Sequence, residues 1–296
     1  MTSKILHRIY FGFDGKPDPY ERYLKTWEEQ LPEYKIMHWN AENLPLDACR
    51  FSQLMFEARD HGFLSDYFRW WVLREHGGVY LDADIEVISG ELFDKMVSEL
   101  DEKTHSFIGI DNKEGGWYTG HSMGCIKGSP LAEFMCETYE GLGNVSVWRR
   151  KIFYFMSPQM TSLYFSWNGH NVDGMGTSPN LNEPKIISGV KVYPQDYLGP
   201  ITPCQDNDGN STFTINSYTK NTAICHHFSC SWHDADSEYL KGRENLHTSP
   251  LLDELVELNV YKGQAKESSK YKRVLVNLGR LLVVAPKKII QTIKNS

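Results

Sequence analysis

The chain has 296 residues, a mass of 34.1 kDa and a formal net charge of −7. Hydrophobic residues make up 41% and charged residues 23%, proportions of an ordinary globular protein that argue against a disordered or collagen-like chain. The sequence shows no run of about 18 apolar residues and no apolar signal stretch at its start, so we expect no membrane-spanning helix and a cytoplasmic protein.

Strand and helix patterns alternate in the first part of the sequence. KILHRIYFGF predicts a strand that ends at Gly12, and a predicted helix over 20–31 and a strand over 34–40 follow it. Ser65 can cap the next helix, which the Gly-Gly pair at 77–78 ends, and VYLDADIEVI then predicts a strand with polar residues in its middle. This alternation predicts an α/β fold.

The remaining elements have weaker patterns. Strands are predicted over 105–110 and 123–127, and helices over 130–141 and 158–167. Residues 168–222 are rich in Asn, Gly, Pro, Asp and Ser, which predicts loops with short strands, and NTAICHHF then predicts a returning strand. The six cysteines form no CxxC pair, so we expect free thiols and no zinc site.

Residues 65–88 carry the strongest chemical signal. Asp66 and Arg69 are three residues apart on a predicted helix, so they share a face, and we expect both in its first turn, where free N–H groups favour an anion. In the strand that follows, Tyr80 and Asp82 point to one side, and Asp84 joins them if the chain stays extended. Two carboxylates this close repel each other, and Mg²⁺ or Mn²⁺ would remove that cost. The Asp-Ala-Asp triplet therefore predicts a metal–diphosphate site, with two turn aspartates at an edge strand as the ordinary alternative.

With these motifs the sequence resembles the D-x-D sugar-binding transferases of glycosyltransferase family 32. That group includes bacterial capsular and oligosaccharide enzymes, fungal initiating mannosyltransferases and, more distantly, the clostridial glucosylating toxins. The matching segments are HRIYFG, the 65–88 segment, VYPQDYLGP and HHFSCSW, which lie within residues 5 to about 234. The resemblance implies a GT-A fold, in which a Rossmann-like central sheet that binds a nucleotide sugar is flanked by helices.

The resemblance also implies how the donor and metal are bound. The uracil or guanine base would pack on Tyr10, Phe11 and Gly12, with Tyr10 where the family usually has Trp. Asp66 would hold the donor sugar, and Arg69 would lie near the sugar and the diphosphate. Next to Tyr80, Asp82 would face sugar hydroxyls and reach the metal through water, whereas Asp84 would bind the metal directly.

The C-terminal motif completes the implied site. His227 would be a further metal ligand, and His226 competes for this role because neighbours on a strand face opposite sides. Ser231 and Trp232 would lie on a loop that closes over the donor. The implied catalytic residues are Asp66, Arg69, Asp84 and Trp232, and weaker candidates for the acceptor side are His121, Ser122 and Gln159.

These features predict a retaining glycosyltransferase that depends on Mn²⁺ or Mg²⁺. It would move a hexose from a UDP-sugar, less readily a GDP-sugar, to a glycan or lipid-linked acceptor in bacterial surface polysaccharide or capsule synthesis. The alternatives are a toxin-like effector that glycosylates a protein and a catalytically silent nucleotide-sugar or glycan-binding module. A nucleotidyltransferase is disfavoured because FGFDGKP is a poor match to a Gly-rich phosphate loop.

Charge separates the C-terminal residues from the rest. Residues 262–296 carry nine Lys or Arg and one acidic residue, whereas the other 261 residues carry 22 basic and 37 acidic side chains. We therefore divide the chain into a catalytic domain over 1–261 and a basic amphipathic helical tail over 262–296. The tail would lie on an anionic membrane surface at the inner face of the plasma membrane, or pack on the acidic body. The acidic body argues against nucleic-acid binding.

Overall fold

The structure is a computed structural model that describes residues 3–12, 15, 17–110, 118–143, 157–168, 170, 181–205, 211–214 and 218–227. Strands and helices alternate along the first part of the chain, as predicted. The helices are α1 (Glu21–Gln30), α2 (Arg50–Glu57), α3 (His61–His76), α4 (Gly90–Ser98), α5 (Pro130–Gly143), α6 (Ser157–Trp167) and α7 (Gln195–Leu198). The strands are β1 (Ile5–Ile9), β2 (Lys35–Trp39), β3 (Gly78–Leu81), β4 (Ile85–Val87), β5 (Ser106–Ile110), β6 (Tyr118–Cys125), β7 (Lys185–Ile187), β8 (Val190–Tyr193), β9 (Thr202–Gln205), β10 (Ser211–Thr214) and β11 (Ile224–His226).

Seven strands form the central sheet, in the order β2-β1-β3-β6-β5-β8-β7. β1 pairs in parallel with β2 and β3, and β5 pairs in parallel with β8. β6 runs antiparallel to β3 and β5, and β7 runs antiparallel to β8, so five of the seven strands share one direction. The predicted α/β fold with a central sheet is confirmed, and the sheet is mostly parallel. Two ribbons, β9–β10 and β4–β11, lie outside this sheet.

Helices cover both faces of the sheet and form two hydrophobic cores. α2, α3, α5 and α6 contribute to one core, and α1, α4 and α7 contribute to the other. Successive residues of β3 alternate between them, since Tyr80 belongs to the first core and Val79 and Leu81 to the second. β3 is therefore buried on both faces, as is usual for a central strand in an α/β protein.

The start of α3 differs from the prediction. The helix begins at His61, and the carboxylate of Asp60 caps it by accepting the amide N–H of Phe63 at 3.1 Å. Ser65 lies one turn inside the helix, so the predictions that Ser65 is the cap and that Asp66 and Arg69 occupy the first turn were wrong. The helix gains this extra turn because it brings Leu64 into the core, where it is fully buried.

The end of α3 agrees with the prediction. Gly77 ends the helix with φ 65°, and Gly78 follows with φ 96°. A Cβ atom at Gly78 would lie 2.6 Å from the carbonyl oxygen of Ile5. The Gly-Gly pair thus allows a sharp helix-to-strand turn and the close approach of β3 to β1.

The segment over 79–88 forms two strands joined by a turn. β3 ends at Leu81, and the amide of Ile85 donates to the carbonyl oxygen of Asp82 at 3.1 Å. β4 then leaves the central sheet and pairs with β11. The indole N–H of Trp27 in α1 holds β4 in place by donating to the carbonyl oxygen of Ile85 at 2.7 Å. Asp82 and Asp84 therefore belong to a turn at the carboxyl end of β3.

Two predictions fall on residues that the structure does not describe. Ser231 and Trp232 lie beyond the last described residue, and so does the tail over 262–296 with the predicted domain boundary. Among the described residues, no helix combines the length and apolar character needed to cross a membrane.

Candidate active site

Asp82, Asp84 and His226 converge at the carboxyl end of β3. One ligand atom of each lies within 4.8 Å of the others. The Nε2 atom of His226 is 3.2 Å from Oδ1 of Asp84 and 3.9 Å from Oδ2 of Asp82. Asp84 is only 7% exposed, which makes an uncompensated carboxylate costly there. Two carboxylates and an imidazole in this arrangement could hold a divalent metal ion.

The two neighbouring histidines face opposite sides. His226 is the last residue of β11 and turns toward the aspartates, whereas Nε2 of His227 lies 2.8 Å from Oε2 of Glu86. The ring of His227 also packs against Tyr23, with 4.6 Å between ring centroids. The resemblance implied His227 as the metal ligand, with His226 as the competing candidate. The geometry favours His226, because His226 and not His227 lies with Asp82 and Asp84.

Arg69 lies between two acidic side chains. Its Nη2 atom is 3.2 Å from Oδ1 of Asp66 and 3.6 Å from Oδ1 of Asp82. Its Nη1 atom donates to the carbonyl oxygen of Gly120, and its Nε atom donates to that of Ser65 at 3.2 Å. These bonds hold the guanidinium in one orientation beside the Asp82–Asp84 turn.

Asp66 is buried beside the beginning of α6. Its Oδ2 atom accepts the backbone N–H of Ser157 at 3.1 Å, an amide of the first helical turn that has no partner within the helix. Burial raises the pKa of the Asp66 carboxyl to about 6, even though Arg69 and the Ser157 amide act in the opposite direction. The carboxyl can therefore gain or lose a proton near neutral pH.

Tyr80 orients the first aspartate of the triplet. Its hydroxyl donates to Oδ1 of Asp82 at 2.6 Å, and the Arg69 guanidinium lies 5.0 Å from the centre of its ring. Burial raises the pKa of Tyr80 well above its usual value, so the hydroxyl stays protonated and remains a donor. The predicted set of Asp66, Arg69, Tyr80 and Asp82 is thus brought into one network.

The end of β1 lies at the same edge of the sheet. β1 and β3 are parallel, with His7 beside Tyr80, so the residues after β1 are on the same side as the Asp82–Asp84 turn. Tyr10 is partly exposed, and its hydroxyl donates to the carbonyl oxygen of Pro17 at 2.9 Å. Phe11 packs against the first core, and Gly12 adopts φ 51°. Their role in base binding remains a prediction.

The acceptor candidates occupy different environments. His121 of β6 is 3% exposed, and its ring stacks on that of His226. Ser122 is fully buried, and its carbonyl oxygen accepts the hydroxyl of Thr119 at 3.2 Å. Gln159 is the third residue of α6. An acceptor role for any of them remains a prediction.

Part of this chain matches a known protein family. The family described as "Glycosyltransferase sugar-binding region containing DXD motif" matches residues 17–99, which include Asp66, Arg69 and the Asp82–Asp84 turn. The protein is a glycosyltransferase with a DXD sugar-binding region. The match implies a nucleotide-sugar donor and a glycan acceptor. Among curated proteins, none matches this glycosyltransferase.

Two solved structures resemble this glycosyltransferase distantly. "PaToxG Glycosyltransferase" is 14% identical with a TM-score of 0.43, over 57% of this chain and 71% of that one. The second, a glycosyltransferase "involved in the glycosylation of the major capsid of PBCV-1", is 13% identical with a TM-score of 0.39, over 75% of this chain and 92% of that one. At these values the likeness assigns no residue role to this glycosyltransferase.

Sequence reasoning missed several residues that build the glycosyltransferase site. Gly120 and Ser157 contact Arg69 and Asp66 through backbone atoms, which any residue type could supply. The Ser-Pro pair at the start of α6 indicates a helix N-terminus, but it does not indicate that this N-terminus lies beside Asp66. Arg8 was not singled out either: it is buried in β1, it forms an ion pair with Asp18, and its guanidinium lies 6.0 Å from the centre of the Tyr10 ring.

Proposed function

We propose that this glycosyltransferase transfers a sugar from a nucleoside diphosphate donor, with a divalent cation held by Asp82, Asp84 and His226. The observation that carries the proposal is the convergence of these three side chains beside the Arg69 guanidinium. An acidic pair alone is common on protein surfaces, but here a buried carboxylate, an imidazole and a fixed cation share one edge of the sheet.

The donor set fits a metal ion of intermediate softness. Carboxylates suit Mg²⁺ and Mn²⁺, and the imidazole of His226 favours Mn²⁺ because Mg²⁺ prefers oxygen ligands. When bound, such an ion acts as a Lewis acid that neutralises the charge on a leaving diphosphate. Asp82 and Asp84 are close enough to each other and to His226 to contribute one ligand atom each.

Arg69 provides a fixed positive charge for the leaving group. Glycosyl transfer leaves negative charge on the nucleoside diphosphate as the anomeric C–O bond breaks. The bonds of Arg69 to Gly120 and Ser65 orient the guanidinium before substrate binds, so little reorganisation is needed in the transition state. Tyr80 and Arg69 together also fix the carboxylate of Asp82.

Asp66 and the end of β1 have complementary roles in the proposal. Asp66 lies 3.2 Å from Arg69, where its carboxyl would accept hydrogen bonds from hydroxyls of the donor sugar. The partly exposed ring of Tyr10, with Phe11 and Gly12 beside it, would stack on the base. The nucleotide would then run along the carboxyl ends of β1 and β3, the usual ligand position in α/β sheets.

The finer identity of the reaction rests on the resemblance to family 32. The proposed donor is a UDP-hexose, and the anomeric configuration is retained. The proposed acceptor is a glycan or lipid-linked oligosaccharide of a bacterial surface polysaccharide. The basic residues over 262–296 would bring the enzyme to an anionic membrane surface.

The experiment is a donor panel. The purified protein is incubated with Mn²⁺ and a set of UDP- and GDP-sugars without acceptor, and release of nucleoside diphosphate is followed with and without EDTA. Asp84→Asn is the test variant. Asp196→Asn is its control, because Asp196 is as buried as Asp84 but its carboxylate bonds to Thr219 and Asn221, which are not members of the metal cluster.

Each outcome decides the proposal. Metal-dependent hydrolysis of one donor that is lost in Asp84→Asn and kept in Asp196→Asn supports it and identifies the sugar. Donor binding by calorimetry that requires Mn²⁺ and an intact Asp84 supports it even where hydrolysis is too slow to follow. Failure of every donor to bind in the presence of Mn²⁺ overturns it.

A further inference from the structure

The ring of His121 stacks on the ring of His226. Their centroids are 4.3 Å apart and the planes are inclined by 27°. His121 belongs to β6, whereas His226 ends β11 and the two aspartates follow β3. A residue from a third element of the fold therefore lies directly against the imidazole of the Asp82, Asp84 and His226 cluster.

The backbone of His121 contacts a second member of the cluster. Its carbonyl oxygen accepts the amide N–H of Asp82 at 2.8 Å, which continues the antiparallel pairing of Leu81 with Ser122. β6 is an interior strand of the sheet, and His121 is 3% exposed. His121 is thus a rigid element of the fold that contacts two of the three candidate ligands.

His226 belongs to a short ribbon outside the central sheet. β11 is three residues long and pairs with β4, which is also three residues long, outside the seven-stranded sheet. Fixing a mobile imidazole in one rotamer costs entropy when a metal ion binds. A side chain that is already held in that rotamer avoids this cost. The flat face of His121 limits rotation of the His226 ring.

We propose that His121 is a positioning residue, whose ring holds the imidazole of His226 in the orientation that binds the cation. The inference rests on the proposed metal site and goes further by naming a residue that is not itself a ligand. Outer partners of metal-binding histidines typically change metal affinity by about 10–100-fold when they are removed. The ring of His121 should matter through its shape, and its nitrogen atoms should not be required.

The test measures Mn²⁺ binding to the protein alone, from the electron paramagnetic resonance signal of free Mn²⁺. His121→Ala removes the ring, and His121→Phe keeps a flat ring without nitrogen. His121→Asn, which also lacks a ring, replaces His121→Ala if that variant does not fold. His76→Ala is the control, since His76 stacks on Trp39 at 28° but precedes β3 at the opposite end from Asp82. Melting temperatures without metal report on folding.

The expected result is a loss of Mn²⁺ affinity of about 10-fold or more in His121→Ala, affinity within about threefold of the unmodified protein in His121→Phe, and no change in His76→Ala. Unchanged affinity in His121→Ala overturns the inference, and so does an equal loss in His121→Phe, which would make a ring nitrogen a ligand. Asp84→Asn distinguishes failure of the proposed metal site from failure of the role proposed for His121. If Asp84→Asn binds Mn²⁺ as well as the unmodified protein does, the proposed metal site is wrong.

Discussion

The guanidinium of Arg69 lies 3.6 Å from the carboxylate of Asp82, an ion pair that joins α3 to the residue after β3. The same guanidinium contacts Asp66, so two carboxylates of like charge share one cation. Because Arg69 is nearly buried, water screens these charges weakly. The position of the Asp82–Asp84 turn relative to α3 therefore depends on Arg69.

Arg69→Lys should lower the rate of donor hydrolysis by roughly 100-fold, comparable to the loss of one preorganised charge-stabilising donor. Lysine keeps the charge but cannot bond to Gly120, Ser65 and the carboxylates at once. Arg74→Lys, on the same helix and paired with Glu140, is the matched control and should keep full activity. Equal rates for the two variants would remove Arg69 from the site.

His226→Ala should weaken Mn²⁺ binding by at least about 10-fold, because it removes one of three protein ligands. His227→Ala should bind Mn²⁺ like the unmodified protein, since His227 faces Glu86 and Tyr23. Calorimetric titration of both variants measures the difference. The reverse order of affinities would restore His227 as the ligand.

Asp66→Asn should stabilise the protein at pH 8 while it abolishes activity. The folded-state pKa of Asp66 is about 6, above its ordinary 3.8, so folding favours the protonated form and stability falls as pH rises through this window. Ionisation of the buried Asp66 carboxyl lowers the free energy of unfolding by about 3 kcal/mol at most, and this full cost is present above pH 6. The melting temperature of the variant should be higher by roughly 3 °C or more at pH 8 and by about a third of that shift at pH 4.5. An equal shift at both pH values would argue against ionised Asp66 as the cause.

His7 should make the folded state sensitive to acid. Nδ1 accepts the indole N–H of Trp39 at 3.0 Å and Nε2 donates to the carbonyl oxygen of Gly77 at 2.8 Å, an arrangement only the neutral ring can make. Burial lowers the pKa of His7 to about 4 from 6.5. This contribution to stability is complete above pH 6.5 and is lost as pH falls toward 4, by about 2 kcal/mol at pH 5.

The variant for this prediction is His7→Gln, whose amide can make both bonds but does not titrate. Its free energy of unfolding, measured with urea, should decrease less between pH 7.5 and pH 5 than that of the unmodified protein. His76→Gln is the control: burial lowers the pKa of this nearby histidine as well, but it is less buried than His7, so the variant should keep most of the decrease. Identical pH dependence in His7→Gln would assign the acid sensitivity to other groups.

Gly78→Ala should destabilise the fold by about 2–4 kcal/mol. The residue has φ 96°, and a Cβ atom would lie 2.6 Å from the carbonyl oxygen of Ile5, so β3 and β1 would be forced apart. Gly128→Ala is the matched control, because it has φ 73° with no atom within 4 Å of the added Cβ and should cost about 1 kcal/mol. Equal unfolding free energies for the two variants would contradict a close approach of these strands.

Local spacing in the sequence was enough to predict the α/β fold, the end of α3 and the grouping of Asp66 with Arg69. A separation of three residues puts side chains on one helix face wherever the helix lies. The resemblance to family 32 implied an imidazole ligand, and strand alternation meant that only one of two neighbouring histidines could face the aspartates. The start of α3 was predicted wrongly because Asp60 competes with Ser65 as a cap, and burial of Leu64 favours the longer helix.

The sequence by itself determined which residues are candidates for the chemistry, and the tertiary structure decided which of them meet. His226 faces the aspartates because β11 pairs with β4 with His226 beside Ile85, a register that no local pattern encodes. The amide of Ser157 reaches Asp66 across 91 residues, and the ring of His121 reaches His226 from another strand. Contacts between distant segments depend on how the whole chain packs, so they follow from the folded core and not from residue spacing.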